Sequence, residues 1–266
     1  MFESRKVCFR MKTLVVVHVY YPQLWPELAA CVRNVDGERD LVVTYGDEAA
    51  VQGARRDFPE ARFLKCENRG YDIWPFIAAL QSSDLSAYDA IVKLHTKRDV
   101  VSDIIFDFNH AVYNGPAWRN FLLGFVRTPE AWRRTRRLLA KSGVGMVAER
   151  HVVMRRRDVP VSRTKESFDA AAEFLGLDPK RVRRSGQYVA GTMFAAKPAA
   201  LRPLLGKELT AELFELPTGH MTETFAHVME RALGLSVTAA GQKIVAFNGS
   251  LRLRRAWYRL CKLVGK

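Results

Sequence analysis

The chain is poor in cysteine. Its 266 residues hold four, at positions 8, 31, 66 and 261, and none forms a C-x-x-C pair. That spacing suggests neither a zinc site nor a disulfide scaffold, and reduced thiols in a cytosolic protein are the plain reading. Long apolar runs are absent: none approaches the ~18 to 20 residues that span a bilayer, which excludes a membrane-spanning helix. The first such run, residues 14–19, is too short for a signal h-region, and no small-residue cleavage site follows it. Acidic residues are scarce, with Asp+Glu 28 against Lys+Arg 42 and a net charge of +14. Such an imbalance points to anionic partners: nucleic acid, phosphorylated metabolites or an acidic membrane surface. Nucleic acid is not the expected one, because the chain has no zinc finger, no RNP-type aromatic signature and no clear helix-turn-helix. Repeats and low-complexity tracts are also missing. What is present, 48% hydrophobic and 26% charged residues, is ordinary globular composition and excludes wholesale disorder.

The order of patterns is that of an α/β protein. Continuous β-branched runs at 14–19 and 40–45 read as strands buried on both faces, and 61–66 and 90–95 continue the series. Helical stretches at 25–32, 48–57 and 73–81 separate them. Such alternation implies βαβ units and a mostly parallel sheet, open to ligands at the C-terminal ends of its strands. Further on, helices are expected at 118–127, 129–141, 198–205 and 222–233, and strands at 144–148, 187–196 and 236–240. Residues 149–187 are Arg-rich and read as an irregular insertion or flap with one helix at 165–175. A single domain over 11–248 is expected, with Met11 a candidate start and 1–10 an ill-ordered leader.

Three places carry candidate chemistry. Glu67-Asn-Arg-Gly-Tyr-Asp-Ile-Trp74 follows the third strand, where an α/β sheet places ligands. There Asn68 and Asp72 can hydrogen-bond a base or sugar hydroxyls, Arg69 offers a planar fork for phosphate or carboxylate, and Gly70 allows close backbone approach. A simple βα turn is the alternative. Lys93-Leu-His-Thr-Lys-Arg98 ends the fourth strand. If the strand persists to Lys97, alternation puts Lys93, His95 and Lys97 on one face, where they call for an anion. Gly191-Thr192 can bring backbone close to a sugar, and Glu223, in the first turn of a late helix, is either a general base or an ordinary helix-start residue. His227 and Glu230 suit structural positions better.

Taken together, these stretches resemble the rhamnan synthesis protein F family of bacterial glycosyltransferases. The resemblance rests on His18-Val-Tyr-Tyr-Pro22 with Trp25, on Glu67 to Phe76, on Tyr88 to Lys97, on Gly191-Thr-Met-Phe194 and on Ala226-His-Val-Met-Glu-Arg231. It implies a GT-A-like fold and transfer of a sugar, often rhamnose, from a nucleotide-diphosphate donor to a cell-surface polysaccharide such as an O-antigen. The donor-binding set it implies is His18, Asn68, Arg69, Gly70, Asp72, Lys93, His95, Thr96, Gly191 and Thr192, with Lys97 and Glu223 catalytic and Glu215 and Asp72 in reserve as the base. Common GT-A enzymes carry Asp-x-Asp at the end of the fourth strand, holding a divalent metal. Here that position reads His95-Thr96-Lys97, so no metal is expected and Lys97, helped by Lys93 or Arg98, neutralises the diphosphate. If Mg2+ or Mn2+ does bind, Asp72, His95 and Asp99 are its candidate ligands. A catalytically inactive domain of this type, or a basic nucleic-acid-binding protein, is the alternative.

Residues 249–266 form a basic amphipathic tail. At 100° per residue Leu253, Trp257, Leu260 and Val264 share one side, and Arg252, Arg255, Arg259, Lys262 and Lys266 the other. With its Trp and Tyr it reads as an interfacial anchor, giving a peripheral protein on the inner face of the plasma membrane that works on a lipid-linked or saccharide acceptor. A closing helix with a solvated basic face is the rival reading.

Overall fold

The computed structural model describes residues 11–98, 102–106, 109–156, 164–216 and 224–247. Four parallel strands open the chain: β1 (Lys12–Val19), β2 (Glu38–Tyr45), β3 (Arg62–Lys65) and β4 (Ala90–His95). Between them run the helices α1 (Trp25–Asn34), α2 (Gln52–Asp57) and α3 (Ile73–Gln81). Every residue of β1 from Thr13 to Val19 is buried, as its β-branched run requires of a strand covered on both faces. Fully burying a valine or leucine side chain contributes about 1.5–3 kcal/mol, so this strand anchors the core.

A hairpin of β5 (Ser102–Phe106) and β6 (Asn109–Tyr113) leads into α4 (Gly115–Leu122) and α5 (Pro129–Leu139). The start of α5 is written in its sequence: the Thr128 hydroxyl accepts the Ala131 amide at 3.1 Å and Pro129 occupies the first turn. Its buried stripe is Ala131, Trp132, Thr135 and Leu139. The remaining elements are β7 (Val144–Ala148), β8 (Val153–Arg155), α6 (Thr164–Phe174), α7 (Pro179–Ser185), β9 (Gln187–Val189), β10 (Phe194–Ala196), α8 (Pro198–Leu205), α9 (Phe225–Ala239) and β11 (Lys243–Ala246). The main sheet has seven strands in the order β11-β7-β10-β4-β1-β2-β3, with β10 antiparallel to both neighbours. This mostly parallel, helix-flanked α/β sheet agrees with the GT-A-like expectation.

Four elements differ from the sequence reading. The expected strand at 187–196 is two strands in different sheets, because Gly191 (φ 75°) and Thr192 (φ 52°) take left-handed backbone that no strand continues through. Residues 236–240 close no sheet: α9 runs on to Ala239 with Leu235, Ser236 and Val237 buried, and β11 forms the edge instead. The described part of 149–187 is packed rather than irregular, since β8 pairs with β9 and Phe168, Ala171, Ala172 and Val182 belong to the core. The β5–β6 hairpin has no counterpart in the sequence reading. The leader 1–10 and the tail 249–266 lie outside the described residues.

Close packing of α9 fixes one glycine. A Cβ on Gly234 would stand 2.3 Å from the Gln187 carbonyl oxygen and 2.4 Å from Tyr188 Cα. In an exposed helix Gly→Ala would gain about 1 kcal/mol. Here Gly234→Ala is expected to lose about 1–3 kcal/mol, because backbone must move. Urea unfolding with an unchanged m-value checks it; a stabilised variant contradicts this packing.

Candidate functional site

Strand order reverses between β1 and β4, the place where an open α/β sheet leaves a crevice beyond its strand ends. His18 and His95 face each other in register there, and both are buried. Alternation puts Lys93 on the same face as His95.

Lys93 is 1% exposed. Its ammonium donates to Asp72 Oδ2 and, at 2.9 Å, to Thr192 Oγ1. The Thr192 hydroxyl in turn donates to Asp72 Oδ2 at 2.5 Å, and His95 Nδ1 stands 3.4 Å from that same oxygen. The Phe76 ring lies 5.3 Å from the ammonium. Asp72 occupies the N-cap of α3, yet its side chain caps no helix amide. A cap bond is worth about 1 kcal/mol. Leaving a buried ammonium unpaired costs more, so the carboxylate turns to Lys93 and keeps the favourable helix dipole behind it.

Burial by itself pushes the Asp72 carboxyl upward. The neighbouring His95, Lys93 and Lys97 and the Lys93 hydrogen bond outweigh it, and hold the carboxyl well below the usual range. Burial lowers Lys93, against the pull of Asp72. Burial also pushes His95 well below an ordinary imidazole in spite of Asp72, so the ring is neutral at pH 7. Its two ring nitrogens have no hydrogen-bond partner among the described residues. His18 is lowered to about 4, again mainly by burial, and its Nδ1 lies 3.1 Å from Thr44 Oγ1. With Asp72 and Lys93 cancelling, Lys97 is the surplus charge. It is half-buried, its field reaches Asp72, Lys93, His95 and His227, and among the described residues no carboxylate pairs with it.

The structure brings the two motif segments together and gives several of their side chains partners within the protein. Strand β4 ends at His95, so Lys97 follows it in a loop instead of sharing its face. Lys93, expected to face a diphosphate, is enclosed by Asp72 and Thr192. Gly70 is needed for packing: at φ 59° a Cβ there would be 2.3 Å from the Phe214 ring. Gly191 is likewise closed off by Leu122, 2.7 Å from its would-be Cβ, while its amide donates to Glu230 Oε1 at 2.9 Å. Thr96 is buried and accepts the amides of Tyr20 and Tyr21 at 2.9 and 3.0 Å, tying the loop after β1 to the end of β4. Arg69 bonds Glu67 at 2.7 Å and the Phe214 carbonyl at 3.1 Å. Glu215, a reserve base, accepts the Phe225 amide at 2.9 and 3.1 Å and so caps α9. Asn68 and Arg98 are exposed. Glu223 and Asp99 lie outside the described residues.

Sequence reasoning gave no role to two residues, Tyr71 and Thr44. Tyr71 sits beside Asp72 at φ 55°, 42% exposed, with its ring 6.3 Å from that of His227. Left-handed backbone at a bulky residue is a strain that functional loops tolerate. Thr44 was hidden because only strand register brings it to His18, whereas Glu230, expected to be structural, accepts the Gly191 amide. As cation ligands Asp72 and His95 do not fit: the Asp72 Oδ2 faced by His95 already receives Lys93 and Thr192, and a dication would meet the ammonium. No group of three or more His, Cys, Asp or Glu among the described residues could hold a metal.

Breaking the buried pair on one side should be costly. Lys93→Met is expected to lose about 3–5 kcal/mol, and adding Asp72→Leu to recover most of it. Urea unfolding of both variants checks this; equal losses would refute the pairing. The folded-state pKa of His18 lies below the unfolded one, so the unfolded chain binds more protons between them. Stability is therefore expected to fall as pH drops from about 6.5 towards 4, by about 3 kcal/mol from this group. His18→Gln should flatten that part of the stability curve, and an unchanged slope would mean His18 titrates normally.

The chain is similar to known proteins in both sequence and structure. A profile of the rhamnan synthesis protein F family matches residues 2–242. Two curated proteins named WxcX, from two strains of Xanthomonas campestris pv. campestris and described as uncharacterized, are each 26% identical over 258 residues, or 91% of this chain and 33% of their own length. The chain thus spans about a third of the curated relatives it matches. Among solved structures, Mycobacterium tuberculosis glucosyl-3-phosphoglycerate synthase with Mn2+, UDP and glucosyl-3-phosphoglycerate aligns at TM-score 0.36 and 17% identity, covering 73% of this chain and 58% of that one. Its complex with Mg2+ and UDP aligns at TM-score 0.31 and 19% identity, with coverage of 73% and 58%. With nine-tenths of its length matched by one family profile, the chain belongs to the rhamnan synthesis protein F family.

Proposed function

We propose that the chain is a nucleotide-sugar-dependent glycosyltransferase. It moves a sugar, rhamnose or a related deoxyhexose, from a nucleoside-diphosphate donor to a cell-surface polysaccharide such as an O-antigen. The observation that carries this reading is the Asp72–Lys93–Thr192 node at the C-terminal ends of β1 and β4, in a chain of a rhamnan synthesis family.

In this reading the node is the rigid floor of the donor site. Asp72, Lys93 and Thr192 hold one another, so their geometry is set before any ligand arrives, and preorganised charge costs no rearrangement during reaction. Lys97 supplies the surplus positive charge and meets the diphosphate as it leaves. Arg98 and Asn68, both exposed, flank the donor, and the Tyr71 ring offers a face for a sugar or base. The acceptor hydroxyl attacks the anomeric carbon, the bond from that carbon to the diphosphate oxygen breaks, and its electron pair leaves with the diphosphate. The hydroxyl proton goes to a base, for which Glu223 is proposed. Neutralisation by Lys97 takes the place of a resident metal.

The acceptor is saccharide or lipid-linked. Residues 249–266 are proposed to rest on the anionic inner face of the plasma membrane. Among the described residues no helix is long and apolar enough to cross it.

Thermal shift with dTDP, UDP and GDP, followed by a donor panel with mass-spectrometric product detection, tests the activity. Stabilisation by oligonucleotide alone, steeply lost with salt, would refute the enzyme reading. Lys97→Gln is expected to lower kcat by about 100-fold or more with an unchanged unfolding midpoint. Full turnover in that variant would remove Lys97 from the mechanism.

A further inference from the structure

A second polar cavity lies far from the Asp72 node. It is a cleft of about 490 Å³ whose lining includes Arg155, Arg181, Arg183, Arg184 and Lys243 and, among the described residues, no acidic one. Three of the arginines come from the short helix α7, Arg155 from the end of β8, and Lys243 from the start of β11. Lys243 pairs with Val144, the first residue of β7, so the cleft opens at the N-terminal ends of those strands. His18 and His95 stand at the opposite, C-terminal ends. In the sheet β11 is also three strands from β4, about 14 Å in spacing alone. The cleft is therefore separate from the proposed donor site, and its argument does not rest on that reading.

We propose that this cleft binds a clustered phosphate: a diphosphate, or a phosphate ester bearing more than one negative charge. Among the described residues no carboxylate pairs with Arg181, Arg183, Arg184 or Lys243. Like charges gathered around one concavity repel each other until an anion enters. Guanidinium forks match phosphate oxygens two at a time, which makes arginine the fitting side chain for such an anion. One fork is already oriented, because Arg181 Nη2 donates to the Thr238 carbonyl at 2.6 Å. Space is open at Gly241 in the lining, where a Cβ would meet nothing within 4 Å. The volume is that of a small-ligand site, whereas single-stranded nucleic acid is gripped along an extended groove with stacking aromatics, and among the described residues no aromatic one lines the cleft.

Isothermal titration of the full chain with inorganic pyrophosphate at about 0.1 M salt tests the proposal. In a Lys97→Gln background, which removes the proposed donor site's hold on diphosphate, Arg183→Gln with Arg184→Gln is expected to weaken binding at least about tenfold. Both arginines are exposed on α7, so the unfolding midpoint should stay where it is. Equal affinity of the Lys97→Gln protein with and without the two arginine substitutions, or no pyrophosphate binding by it, overturns the proposal. So does an oligonucleotide that binds the cleft more tightly than pyrophosphate. Vesicles of phosphatidylglycerol against phosphatidylcholine distinguish the source. Vesicle binding lost in the double variant and competed by pyrophosphate identifies a lipid headgroup. Vesicle binding unaffected while pyrophosphate binding is lost identifies a soluble phosphate. A donor site that fails its own tests leaves these outcomes unchanged.

Discussion

A lysine buried in the middle of a sheet governs this molecule. Lys93 stands on the central strand β4, and its side chain is almost wholly shielded from water. A charge in that position must be met by a counter-charge with good geometry, or the fold loses several kcal/mol. Asp72 is that counter-charge. Reaching it draws the turn before α3 over the end of β4 and turns Asp72 away from its helix-capping role. Thr192 completes the set, and a strand broken by two left-handed residues delivers it. Three distant segments of chain are thereby held at one oxygen atom.

The same demand explains the loop around residue 70. Because Asp72 is fixed from below, the preceding residues have little freedom, and Gly70 and Tyr71 both take positive φ. The space a side chain on Gly70 would fill belongs to Phe214. Arg69 bonds the Phe214 carbonyl, the Gly70 amide donates to the Glu215 carbonyl at 3.3 Å, and Glu215 caps α9. Residues 67–72 thus join the first βαβ half to the last helix. Side chains that look like ligand contacts in isolation are spent on this junction, and Tyr71 and Asn68 are left exposed.

Charge in the molecule is divided by sheet polarity. At the C-terminal strand ends a balanced pair leaves one surplus lysine. At the N-terminal ends of β7 and β11, several arginines and a lysine gather around one cleft. A single net-charge figure conceals two environments of different chemistry, one preorganised and nearly neutral, the other open and strongly basic.

The sequence alone determined the alternation of strands and helices, the limits of α3, β4, β7 and α8, and the two motifs that meet at the site. Those features are local: β-branched runs, turn residues and cap residues act within a few positions of themselves. It also carried the family resemblance, since motifs are read in order along the chain. Tertiary structure decided what each motif residue does. Nothing near Lys93 in sequence says that its partner is Asp72, because the two meet only when β4 and the turn after β3 lie side by side. Nothing near Gly70 foretells Phe214, and nothing near Arg183 foretells Lys243. Partnership at long range depends on register, strand order and the exclusion of water. Those exist only once the chain has folded.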